Sequence, residues 1–177
     1  VKWLINFFKR LKKRSAPKMP GKHIWQEEWN EHVFRSFHQY DNFSDFFLNY
    51  DDFKKFIQAL AYAESGFNLT ERYVENLGND AVTGKQVVSE GLFQLSYQDS
   101  IYNGVTWFNW DQDKNLSDDD PDKTIFDPIN QIYACAKILN KQINRRGTLY
   151  TSFDPFYWSV LDEKNKRHRV FLSYYEN

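Results

Sequence analysis

One cysteine, Cys135, stands in the whole chain, so no disulfide can close within it, and no CxxC pair or Cys/His cluster offers a zinc site. Long apolar runs are also missing. No stretch of 18 apolar residues is present to span a membrane. The short apolar start, Val1 to Phe8, is followed by positive charge, the reverse of a signal peptide's order. Basic residues are scarce where a nucleic acid would need them. Seven of the 23 Lys and Arg, and none of the 24 acids, fall in residues 1–20, which leaves 16 basic against 24 acidic residues beyond them. That acidic body, with a balance of -8, excludes a nucleic-acid footprint everywhere except the first short segment. No internal repeat or low-complexity tract is visible.

Aromatic residues, in contrast, are abundant: 16 Phe, 11 Tyr and 6 Trp in 177 residues. A chain of this length holds one core and one main site. Most of the Phe residues are assigned to that core, in place of scarce Val, Ile and Leu, and the remaining rings are free to line a groove, where flat faces suit sugars. Residues 1–21 read as a basic amphipathic helix over 1–14, with Trp3, Leu4, Phe7, Phe8 and Leu11 at helical spacing, and a linker at Pro17, Pro20 and Gly21. This helix either packs on the body or touches an anionic surface. Residues 22–177 form the second unit. Within it, Trp25, Trp29, Val33, Phe34 and Phe37 mark one helix, and a second begins near Asp51 or Asp52 and runs to Glu64, stopped by Gly66. Turn signals at Gly78-Asn79-Asp80 and Thr83-Gly84-Lys85 predict a small hairpin. Further helices are expected near Asp127 to Asn144 and from Phe156 to Tyr175. The fold class is therefore mainly α (α+β), a single domain with one small hairpin.

The informative segment is Ala59-Leu60-Ala61-Tyr62-Ala63-Glu64-Ser65-Gly66-Phe67-Asn68. A glutamate that ends an apolar helix stands where desolvation raises its pKa, and a carboxyl still protonated near neutrality is the general acid a glycosidic bond requires. This segment resembles the soluble lytic transglycosylases and goose-type lysozymes, whose first motif is a helix ending in Glu-Ser-Gly-Phe. Gly91-Leu92-Phe93-Gln94-Leu95 is similar to their Gly-Leu-Met-Gln-Ile/Leu motif, with Phe93 in place of Met, and the gap suits a small β-element between the two. Asp127-Pro128-Ile129-Asn130, leading into Ala134-Cys135-Ala136-Lys137-Ile138-Leu139, is a third point of similarity. The resemblance covers residues 51–145. The last family motif, Ala-Tyr-Asn before Gly, has no clean match; Phe156-Tyr157-Trp158 lies in its place without the Asn and Gly.

The resemblance implies a lysozyme-like fold with the hairpin between the Glu64 helix and the Gly-Leu-Phe-Gln motif. It also implies a monomeric muramidase, periplasmic or secreted, that cuts the β-1,4 bond between N-acetylmuramic acid and N-acetylglucosamine in peptidoglycan strands. Glu64 is then the acid, Ser65 supports the motif turn, and Gln94 lies in the cleft. Gly91 lets the backbone approach the glycan, and Tyr157 stands in for the tyrosine that supports the acid. Phe67 packs under the helix, while Phe93 and Leu95 belong to the core. Glu90 is the candidate second carboxylate, with Asp80 and Glu75 behind it. This supply of carboxylates favours a lysozyme slightly over a lytic transglycosylase, in which a single carboxyl serves as acid and then base. No cofactor or metal is expected. The loop from Asp111 to Asp122 places oxygens at calcium-loop positions, but it has Leu116 where Gly is needed and ends in Asp122 rather than Glu, so it reads as a solvated acidic loop. With Trp107 as a substrate contact and Trp110 beside it, that loop raises the expectation of a preference for N-deacetylated, cationic glycan. The competing readings are a non-catalytic glycan-binding module and a membrane-surface or partner-binding protein acting through the first helix.

Overall fold

The computed structural model describes residues 24–146 and 157–176. The predicted basic helix and linker of residues 1–21 lie outside them. Helix α1 (Glu27–His38) carries Asn30, Val33, Phe34 and Phe37 inward, as its aromatic spacing predicts. A short helix that the sequence pattern did not announce, α2 (Asp41–Phe46), follows. Helix α3 (Tyr50–Ser65) begins one residue before the expected Asp51, because Asn49 caps it by accepting from the Asp52 N–H at 3.0 Å. Asp51 and Asp52 sit in its first turn, where the helix dipole favours negative charge. Phe53, Phe56, Ile57, Ala59, Leu60, Ala61 and Ala63 are all buried, which makes α3 the central rod of the fold.

Strands β1 (Arg72–Asn79) and β2 (Gln86–Glu90) form a two-stranded antiparallel pair, with Arg72 opposite Glu90, Tyr73 opposite Ser89 and Val74 opposite Val88. The pairing then slips before Asn79 meets Gln86, leaving an irregular bulge. This is the small hairpin the turn residues predicted, and it lies between α3 and the Gly91 segment. Short helices α4 (Asp99–Tyr102) and α5 (Trp110–Asp113) lead to the long α6 (Pro128–Arg146). Pro128 opens α6, and Asp127 Oδ1 accepts the Ile129 N–H at 2.8 Å. The expected final helix is broken in two. A 3-10 turn (Ser159–Leu161) and α7 (His168–Tyr175) are separated by side-chain turns in which Asp162 accepts from Lys164 N–H and Asn165 from Arg167 N–H, each competing with helix formation.

Helix α7 lies against α3, while α1 and α2 lie against α6. Phe34, Phe43, Phe47, Phe53 and Phe56 form a continuous chain of edge and tilted ring contacts with centroids 5.0–5.9 Å apart. The surplus of phenylalanine is thus chiefly core, as expected. The result is a mainly α domain with one small sheet, and no described helix is long and apolar enough to cross a membrane.

Candidate active site

Glu64 occupies the last full turn of α3, and the chain leaves that helix through two consecutive left-handed residues, Gly66 (φ 61°) and Phe67 (φ 70°). Glycine adopts this conformation freely, but a phenylalanine must be held in it. Phe67 is held by burial against Trp25, Tyr62 and Tyr174. The abrupt exit leaves the Glu64 carboxyl at a helix end instead of along a helix flank. Its Oε1 is buried and has no hydrogen-bond partner among the described residues. Desolvation pushes its pKa up to about 7; the Arg167 guanidinium opposes the shift, and the nearby Glu75 carboxylate adds to it.

Arg167, just ahead of α7, donates from Nη2 to the carbonyls of Ala63 and Glu64. It places a cation at the negative end of the α3 dipole. Nothing in the residue pattern marks it, since it stands in an ordinary basic run with Lys164, Lys166 and Arg169.

Ser65 ties α3 to the second motif: its hydroxyl is 3.0 Å from both the Ala61 and the Leu92 carbonyl oxygens. That motif is a tight reversal in which Glu90 and Leu95 exchange backbone hydrogen bonds at 2.7 and 2.9 Å. Gly91 (φ 80°) and Gln94 (φ 52°) make the bend. The space a Gly91 side chain would need is filled by Gln131, whose Nε2 would lie 2.6 Å from an added Cβ. Gln131 is itself fixed, accepting from Phe93 N–H and donating to the Ile125 and Glu90 carbonyls. The close approach at Gly91 is therefore made by a buried amide of the chain itself. Gln94 is half-buried, and its Nε2 donates to the carbonyls of Glu71 and Gly91 at 3.3 and 3.0 Å, so this amide braces the turn. Phe93 and Leu95 are fully buried.

The hairpin carboxylate whose charge acts on Glu64 is Glu75 and not Glu90, and strand alternation is the reason. Tyr73, Glu75 and Ser89 share one face of the hairpin, where Ser89 Oγ donates to Glu75 Oε1 at 2.6 Å. Arg72 and Glu90 share the opposite face. There Glu90 is 3% exposed, paired with Arg72 at 2.8 Å and Lys123 at 3.6 Å, and Arg72 reaches on to Asp118 at 3.1 Å. Burial raises the pKa of Glu90, while Lys123 and Arg72 pull it back. Glu90 thus closes a buried ion cluster behind the hairpin. Glu90→Gln should lower unfolding stability by about 2 kcal/mol, because it leaves Lys123 poorly compensated in the interior, without changing the products of any reaction at Glu64. A urea melt alongside product analysis checks both parts. Asp80 is equally committed, accepting from the Val82, Thr83 and Gln98 N–H groups.

Tyr157 does reach the Glu64 neighbourhood, but its hydroxyl donates to Asp99 Oδ2 at 2.5 Å. Burial, then the Asp99 charge, then Glu64 itself push that hydroxyl's pKa up and keep it protonated. Asp99 also accepts from Ser96 and Asn103. Tyr157 is therefore a fixed phenol whose proton is committed to Asp99. Trp107 stacks on Tyr133 with centroids 4.3 Å apart and interplanar angle 8°, and it touches Trp29. In the acidic loop Asp113 is buried and bonded by Tyr97 and Thr124, Asp111 pairs with Lys114, and Asp118 pairs with Arg72. No group of three or more metal-binding side chains occurs among the described residues.

No family model and no curated protein matches the chain. Among solved structures it is similar to DslA of Bdellovibrio. The wild-type form aligns with a TM-score of 0.64 at 20% identity, over 93% of this chain and 97% of that one. Two DslA variants, each with one glutamate replaced by glutamine, align over the same shares with TM-scores of 0.64 and 0.60 at 19% and 20% identity. At such identity the likeness shows a common fold.

Proposed function

We propose that this chain is a peptidoglycan muramidase in which Glu64 protonates the bridging oxygen of the β-1,4 bond between N-acetylmuramic acid and N-acetylglucosamine. The observation that carries this reading is the Glu64 carboxyl itself: desolvated at a helix end, its buried Oε1 unpartnered among the described residues, and still half protonated near pH 7. Glu75, whose charge raises the proton affinity of Glu64, is the carboxylate suited to activate water or to steady the developing positive sugar. The two glutamates replaced in the DslA variants lie eleven positions apart, the same separation as Glu64 and Glu75. A second carboxylate on the site's own face favours hydrolysis over transglycosylation. The substrate lies outside the cytoplasmic membrane, so the reading carries a periplasmic or secreted location. The test is release of soluble glycan from purified sacculi, followed by mass spectrometry: reducing ends support hydrolysis, 1,6-anhydro ends indicate transglycosylation, and no release removes the proposal.

Substrate preference follows from charge. Several carboxylates of the acidic loop have internal partners, so the free negative potential at the site rests on Glu75 and on the body's acidic balance. Glycan whose amino sugars have lost their N-acetyl groups is cationic and should be cut faster than the acetylated form. On matched sacculi before and after enzymatic deacetylation we expect an advantage of about 10-fold for the latter, shrinking as salt is raised. Equal rates at low salt would remove the preference.

A further inference from the structure

We infer that Tyr73 is a sugar-stacking platform of the Glu64 site, one that fixes a ring of the glycan beside the cleavage point. This rests on the glycosidase reading above and names a substrate contact within it. Tyr73 is 62% exposed, although it sits in a strand and is directly paired with Ser89 across the hairpin. Ser89 Oγ holds Glu75 at 2.6 Å, so Tyr73 and Glu75 rise from the same face, two residues apart. That separation is roughly 7 Å along a strand, about the scale of one pyranose unit.

The root of β1 is anchored where Tyr73 emerges. Gly91 N–H and Gln94 Nε2 both donate to the Glu71 carbonyl, and Arg72 is locked to Glu90. The ring thus stands on a fixed base, which lowers the ordering cost of using it. Other exposed aromatics lack this placement: Tyr40 follows α1, Tyr102 ends α4, and Trp107 is stacked on Tyr133. Tyr73 is the exposed ring that shares a face with the carboxylate acting on Glu64. A phenol ring offers an apolar face to the C–H groups of a sugar, and the same face attracts a cationic amino sugar.

The experiment measures cleavage of sacculi and binding of chitohexaose, the latter in a Glu64→Gln background so that binding is read without turnover. Tyr73→Ala should raise KM and weaken chitohexaose binding by about 10-fold, while kcat stays within about twofold of the parent. Tyr73→Phe should restore both, since the ring and not the hydroxyl makes the contact. Tyr102→Ala, an exposed ring on a different helix, serves as the control for surface loss. Parent-like KM and binding in Tyr73→Ala overturn the platform while leaving the muramidase reading intact. Loss of kcat alone, or failure of Tyr73→Phe to recover, also overturns it. Absence of cleavage by the parent overturns the underlying reading first.

Discussion

Glu64→Gln should fold as the parent does and release glycan about 1,000-fold more slowly, within the range that removal of a positioned general acid produces. The amide matches the carboxyl in shape and keeps the end of α3 undisturbed, because Arg167 bonds the Ala63 and Glu64 backbone carbonyls and not the side chain. The same substitution has a stability signature. The folded-state pKa of Glu64 is raised from 4.5 to about 7, so between those values the folded chain binds more protons than the unfolded one. Stability is therefore lost as pH rises through that window. Glutamine does not ionise, so Glu64→Gln should gain stability relative to the parent between pH 5 and pH 8. Chemical melts at the two pH values check this. A variant retaining more than a few per cent of activity would remove Glu64 from the acid role.

Glu75→Gln should be nearly as damaging, by about 100-fold, and should act in two separable ways. If the Glu75 carboxylate activates water, reducing-end products disappear. Its charge also raises the proton affinity of Glu64, so whatever activity remains should lose its acid at lower pH, with the alkaline limb moved down from about 7. Arg167 acts in the opposite sense on Glu64, and a pH profile distinguishes the two groups. The Ser89 hydroxyl can still donate to the glutamine oxygen, so the hairpin should keep its stability. A parent-like rate and an unmoved limb would show that Glu75 has no part in the chemistry, leaving the single-acid transglycosylase route as the better account.

What the residues disclosed in advance is largely what is local. The end of α3 is legible because Glu64, Ser65 and Gly66 follow an apolar run with a carboxyl and a left-handed stop within three positions, and Phe67 packs beneath as its place after the stop implies. The hairpin was legible from its turn residues. The choice between Glu75 and Glu90 was not, because which carboxylate faces Glu64 depends on strand register, and a shift of one residue sends every side chain to the other face. The bulge before Asn79 makes that register harder still to read. Gln131, Asp99 and Lys123 are buried polar groups that each take a partner remote in sequence, Phe93, Tyr157 and Glu90 respectively, which no periodicity betrays. The apolar pattern from Phe156 to Tyr175 predicts one continuous helix, yet Asp162 and Asn165 bond their own backbone neighbours and break it. Arg167 is not legible in the sequence because its role is defined by carbonyls more than a hundred residues upstream.

That last separation bears on how the protein reaches its working form. The bond from Arg167 to the Ala63 carbonyl spans 104 residues, and Tyr157 reaches Asp99 across 58. Local contacts can build α3 early, but closing loops of that length is entropically slow. During refolding the Glu64 helix should therefore acquire its protection from hydrogen exchange before the site gains its final electrostatic setting. A chain with α3 formed and α7 not yet docked would carry Glu64 at a frayed, more hydrated terminus, with a proton affinity closer to that of an ordinary glutamate. Competence would then arrive as a late kinetic phase, timed by the docking of the two most distant parts of the fold.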